Sequence, residues 1–219
     1  NGGASVEIDN GGNWSATMVL PVNDTTTVGG AHELKVTDKG GRASTVTLNL
    51  AERVLTLDPV EARVGTSVNV VGSGFPAANT AIGSVSTPTV SIKYTYGTTT
   101  ATVATLTPDG SGNISGTFQV PLNASIPSTN TVKAAFIYMP TGGSMSTNTT
   151  EVTHKVPNPS LAVSPIEGPV GTVLTINGAG FRTYSVVSTL KIGGIDVRPV
   201  PIPATDSEGG FSVTVLVPQ

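Results

Sequence analysis

The chain contains no cysteine. That excludes a disulfide framework, a thiol nucleophile and a thiolate metal site together. Charge is also scarce: 11% of the 219 residues are charged, and the net charge is −3. A nucleic-acid surface needs a dense basic stripe, so that class of partner is not expected. Only two histidines occur, His32 and His154, and neither sits in a recognisable triad pattern. The fourteen acids are scattered singly, mostly in turn-like stretches, without the paired carboxylates of glycoside hydrolysis. No apolar run reaches eighteen residues, so this segment carries no membrane insertion, and no signal peptide is recognisable. No helical apolar period persists for ten residues. These absences predict a protein that is not an enzyme and binds no cofactor.

Small and turn-forming residues are abundant instead: Gly 26, Pro 16, Thr 33 and Ser 20. Short strand-like runs alternate with Gly, Pro, Asn and Asp turns along the whole chain. That pattern predicts an all-β protein of tandem immunoglobulin-like β-sandwiches with no significant helix.

Two blocks repeat. Leu55 to Phe75, LTLDPVEARVGTSVNVVGSGF, aligns without a gap on Leu161 to Phe181, LAVSPIEGPVGTVLTINGAGF, at an offset of 106 residues. A repeat of that length denotes a whole domain, not a short solenoid unit. Pro59 and Pro165 end an incoming strand, since proline cannot donate to a ladder. Gly65 and Gly171 make a tight turn, where glycine takes positive φ without strain. The following strand points Val68 and Val70 inward and Asn69 outward, with Leu174, Ile176 and Thr175 as counterparts. Gly74-Phe75 and Gly180-Phe181 then bend the chain and place an aromatic ring beneath the turn.

The second block occurs three times: Asp9 to Pro21, Asp109 to Pro121 and Asp206 to Pro218. Its inward columns read Trp14, Ala16, Met18, Leu20; Ile114, Gly116, Phe118, Val120; and Phe211, Val213, Val215, Val217. Serines and threonines fill the outward columns. Residues 1–51 therefore read as the C-terminal part of a first module, 52–159 as a complete module ending in a stiff Pro-Asn-Pro linker, and 160–219 as the N-terminal part of a third. Residues 76–89 form an enlarged surface loop, and a closing hairpin turns at Pro140 to Gly143. The chain opens and closes inside modules. The expectation is a longer repeat protein, with completion of a half-module by another chain as the alternative.

The pattern PxxxxVGTxVxIxGxGF, a VxIxYG-like strand and DxxGxFSxTxxVP resembles the IPT/TIG family of immunoglobulin-like domains. The resemblance covers essentially the whole chain as three modules, two of them incomplete. It implies structural roles for Gly65, Gly171, Gly74-Phe75 and Gly180-Phe181, and no catalytic residue. Gly193-Gly194 stands where the second module has Tyr96-Gly97, a departure in the hairpin turn. Members occur in prokaryotic surface and filament-like proteins, beside secreted glycosidase domains, in receptor ectodomains and in some transcription factors. The family therefore says little about function.

Each candidate site has a plainer reading. His32 and His154 fit surface or strand-filling positions. The Asp-Gly turns offer oxygen ligands for calcium, yet each supplies one aspartate, or Asp206 with Glu208, and a hairpin needing positive φ explains them without metal. Trp14 as a sugar-stacking platform competes with core filler, which its counterparts Ile114 and Phe211 favour. Tyr94 and Tyr96 alternate in phase with Val90 and Ile92 and read as core. Five N-x-[ST] sequons stand at Asn13, Asn23, Asn113, Asn123 and Asn148, the candidate sites for N-linked glycans. Two pairs are repeat equivalents, Asn13 with Asn113 and Asn23 with Asn123.

The functional expectation is an extracellular, cell-surface structural repeat that self-associates, or packs against neighbouring modules of one long chain, in a surface layer, stalk or filament. The alternative is an adhesin or polysaccharide-binding accessory module using the 76–89 loop.

Overall fold

The structure, a computed structural model, describes residues 6–16, 29–77, 88–138 and 146–219. Among these residues every regular element is a β-strand, and all strand pairing is antiparallel apart from one parallel bridge. The protein is all-β and built from β-sandwich units.

The first described pair is the hairpin of β1 (Gly30–Thr37) and β2 (Ala43–Leu50), joined by Asp38 to Arg42. The central unit holds two sheets. β3 (Val54–Asp58), β4 (Ser67–Ser73) and β7 (Ile114–Gln119) form one, in the order β3-β4-β7. β5 (Val90–Tyr96), β6 (Thr99–Leu106), β8 (Ser128–Tyr138) and β9 (Ser146–Val156) form the other, in the order β6-β5-β8-β9. The third unit repeats the first of these sheets with β10 (Ser160–Ser164), β11 (Val173–Ala179) and β14 (Phe211–Leu216). A two-residue hairpin, β12 (Lys191–Ile192) and β13 (Ile195–Asp196), turns at Gly193-Gly194, both at positive φ.

Alternation decides which side chains enter the core. Val68 and Val70 are fully buried while Asn69 between them is exposed. Val90, Ile92 and Tyr94 do the same on the opposite sheet, and Tyr96 packs at the core's margin. One apolar cluster runs from Leu55 to Val156 between the two sheets. A smaller cluster, Ile176, Leu190, Val213 and Val215, forms the core of the third unit. Phe75 packs edge-on to Phe136, with ring centroids 6.3 Å apart, and the Arg53 guanidinium lies 5.3 Å from the Phe136 centroid. Such contacts add about 0.5–1.5 kcal/mol to the area that the rings bury.

Proline 59 works as its chemistry requires. β3 stops at Asp58, and the chain then crosses to the other sheet. There Lys155 N donates to Val60 O and Ala62 N donates to Lys155 O, a short parallel pairing with β9. Asp58–Pro59 and its repeat equivalent Ser164–Pro165 are both cis.

Three sequence expectations change. Trp14 is not core: it is 49% exposed, whereas its equivalent Ile114 is 1% exposed. Ile114 lies in the core cluster closed between the two sheets of its unit, whereas Trp14 lines an open groove with Leu34, Val36 and Val46. Ala16 is exposed as well. β6 begins at Thr99, three residues before the expected Thr102, because Gly97 takes φ +55 and closes the turn at once. Thr17, Met18, Leu20, most of the 76–89 loop and the turn at Pro140 to Gly143 lie outside the described residues.

Phe136→Ala empties a fully enclosed site, so it is expected to cost about 3–5 kcal/mol in chemical denaturation. Val46→Ala, on the 60%-exposed position of β2, should change stability by less than about 0.5 kcal/mol. Equal effects from the two would refute the distinction between covered and open sheet faces.

Candidate functional site

The chemistry-bearing side chains fall into three places: the Asp-Gly loops, the sequons and one buried histidine.

The Asp-Gly loops share one wiring. In the second unit Asp109 Oδ1 accepts from Ser111 N at 2.8 Å and Asn113 N at 2.9 Å, and Gly112 N donates to Asp109 O at 3.1 Å. Asp9 makes the same bonds to Gly11, Asn13 and Gly12, and Asp206 to Glu208, Gly210 and Gly209. A fourth copy, not counted among the repeats in the sequence, is Asp38 with Arg42 and Gly41. Its cue was present: Asp38 and Gly41 have the same three-residue spacing as Asp109 and Gly112. The residue three positions after each aspartate is a glycine at φ between +73 and +84. Backbone amides hold all four carboxyls below the usual carboxylate range, chiefly those of Asn13, Arg42, Asn113 and Gly210. The Oδ1 atom of each is thus committed to the turn. Among the described residues no three or more His, Cys, Asp or Glu side chains group as metal ligands.

The sequons follow the turns. Asn13 and Asn113 close their loops, with Asn113 Nδ2 donating to Asp109 Oδ2 at 3.1 Å. Both side chains are exposed, as is Asn123 in the turn after Val120. Asn148 has its backbone in β9 opposite Phe136, and its side chain lies outside the described residues, as does all of Asn23.

His154 is the position that the sequence placed least well. It fills a strand, as expected, but it is not a surface residue: its exposure is 0%. Nδ1 lies 2.9 Å from the Tyr94 hydroxyl, and the ring stands edge-on to both Tyr94 and Phe118. Cross-strand Asn130, also buried, donates to Ser128 Oγ at 2.8 Å. Nε2 has no hydrogen-bond partner, so the ring is stable there only as neutral imidazole. Burial lowers the His154 pKa against a smaller opposing pull from Glu61, and it raises Tyr94 to about 12. Both groups are uncharged near neutrality, and neither faces a cleft. His32 lies half-buried on β1 opposite Leu48.

Three open grooves lie among the described residues. One, of about 710 Å³, lies over the β1–β2 face and is lined by Ile8, Trp14, Leu34, Val36 and Val46, together with Asp38 and Arg42. A groove of about 510 Å³ lies beside Val103, Phe118 and Leu122. The third, about 420 Å³, follows Glu61, Lys155 and the Pro157-Asn158 linker. The third also holds Ser128, whose hydroxyl is engaged within the fold, donating to Ser125 O and accepting from Asn130 Nδ2.

No family model matches the chain, and no curated protein does. Among solved structures it is similar to a tetra-tandem repeat in the extending region of a large adhesion protein, at 14% identity and a TM-score of 0.31. The match covers 96% of this chain and 57% of the other, so the chain spans a little over half of that repeat structure. Likeness at that level identifies neither a family nor an activity.

The buried imidazole sets a pH dependence. Its folded pKa lies below the ordinary 6.5, so the unfolded state takes up the proton first as pH falls. Its contribution to stability is complete above pH 6.5 and is lost progressively below it, toward the depressed folded value. Urea midpoints of the parent should therefore fall between pH 7 and 5 more steeply than those of His154→Gln. Parallel pH profiles would show that His154 is not held neutral.

Proposed function

We propose that this chain is a stretch of tandem immunoglobulin-like modules of the IPT/TIG kind, serving outside the cell as a structural repeat. The observation that carries the reading is the recurrence of one wired sheet. β3-β4-β7 and β10-β11-β14 share register, turn glycines and end bonds, and they follow one another across a linker of three residues. The working property is mechanical. Each module is a spacer, closed by antiparallel pairing and joined to the next by a linker too short and stiff to coil. Exposed edges and serine- and threonine-lined faces are available for lateral contacts in a layer, stalk or filament. Exposed Asn13, Asn113 and Asn123 suit N-linked glycans on such a surface.

Electron microscopy of native material from the cell surface tests this reading. An ordered filament or sheet, with glycopeptides at Asn113 and Asn123, is the expected result. Dispersed monomers in native material would overturn the assembly role.

The exposed indole of Trp14 favours one second reading, an adhesin or polysaccharide-binding region. It stands on the groove of about 710 Å³, beside Leu34, Val36 and the hydroxyl-bearing Ser44 and Thr45. Trp14 is the chain's one tryptophan, so its fluorescence reports occupancy directly. A saturable emission change with a polysaccharide panel is expected if this reading holds, and an unchanged spectrum across the panel removes it.

A further inference from the structure

The two-block repeat leaves one residue unexplained. Arg63 occupies the segment between β3 and β4, where the third unit has Pro169. Its backbone is held by hydrogen bonds on both sides. Ala62 before it donates to Lys155 O, and Thr66 after it donates to Arg63 O at 3.2 Å. Its side chain reaches the third unit. Nη2 donates to Ser160 Oγ at 3.1 Å, at the start of β10 in the third unit. The rest of the side chain lies over Gly180. A Cβ built there would stand 2.8 Å from Arg63 Nε and 3.1 Å from Cδ, so one would displace the Arg63 side chain. Close by, the Gly65 turn of the second unit faces the Ser207 carbonyl of the third.

The preceding junction treats the same position differently. Gly74 is the repeat equivalent of Gly180 and has the same φ of +78. It is filled not by a side chain but by the connecting backbone: a Cβ there would stand 2.5 Å from Glu52 O. A Cβ on Gly29 would likewise collide with Glu52 Cα. The glycine before the turn phenylalanine is thus a receptor for whatever joins one unit to its neighbour.

We propose that Arg63 is a junction residue: it seats in the Gly180 turn and on Ser160 and fixes the direction in which the third unit leaves the second. The partner surface is the Gly-x-Gly-Phe turn of a following module. The geometry of the contact does not depend on the proposed extracellular role, but its use, a rod of set direction, rests on that reading.

The absence of cysteine makes the test clean. Ser115 and Ser212, both exposed and on equivalent strands β7 and β14, are replaced as Ser115→Cys and Ser212→Cys. Spin labels are attached there, and the distance distribution is measured by pulsed electron resonance. One narrow distribution is expected with Arg63 present and a broadened one in Arg63→Ala, with the thermal midpoint of the core unchanged. Ser160→Ala, which removes only the acceptor, should broaden it less, and it should add nothing in the Arg63→Ala background. Equal widths with and without Arg63, a broad distribution in the labelled parent, or independent effects of the two substitutions would overturn the proposal. Micrographs lacking an ordered array would refute the assembly role without touching this result, so the two readings fail separately.

Discussion

The architecture depends on one strand pair. β4 and β7 carry the two repeated blocks, and they are zipped from end to end. Val68 faces Phe118 and Val70 faces Gly116 in the ladder. At one end Gly65 N donates to Val120 O and Val120 N to Thr66 O; at the other Phe75 N donates to Gly112 O at 3.0 Å. The third unit repeats each bond, with Gly171 and Val217, Val217 and Thr172, and Phe181 and Gly209. The Asp-Gly loop is therefore more than a hairpin turn. Its aspartate holds the loop so that the glycine at positive φ can present its carbonyl to the phenylalanine amide. A Cβ on Gly112 would collide with the Phe75 carbonyl. Each bond contributes about 0.5–1.5 kcal/mol net, and their common effect is to fix register, on which every inward side chain depends.

Once register is set, the core follows, including its polar part. Tyr94 and His154 meet because β5 pairs with β8 and β8 with β9, which brings residues sixty apart in sequence onto one face. A buried neutral pair of this kind costs desolvation that an apolar pair would not. It also permits fewer arrangements, since the tyrosine hydroxyl and one ring nitrogen must find each other. Without cysteine, such directional contacts are one means of specifying a unique packing.

The repeated sheet was legible in the sequence because its signals are local. Proline 59, the glycine at 65, the alternation of Val68, Asn69 and Val70, and the Asp-Gly loops each act within a few residues. What could not be read was non-local. The depth of His154 depends on Tyr94 and Phe118 across two strand pairings, and nothing near residue 154 announces it. Trp14 misled because repeat equivalence transfers a residue's orientation but not the sheet that covers it. Orientation is set by alternation within a strand, burial by a second layer, and equivalence reports only the first.

The junctions show how a repeat can vary without losing its frame. The positions that close β4 on β7 are the same in both copies: the turn glycine, the Gly-x-Gly-Phe bend and the Asp-Gly loop. The positions that face a neighbouring unit are not. At the equivalent glycines 74 and 180, one is occupied by the backbone of Glu52 and the other by the side chain of Arg63. A glycine is needed in both cases for its own turn, at φ +78, and its missing side chain leaves a recess on the outside of the module. That recess is an unavoidable by-product of the turn, so any neighbour can use it. Backbone in the recess ties the approach of two units to the path of the linker. A side chain in the recess frees the linker from that task and gives the orientation to one replaceable residue. Direction along the array is then adjustable by substitution at positions such as 63, while the clamp that makes each module fold stays constant.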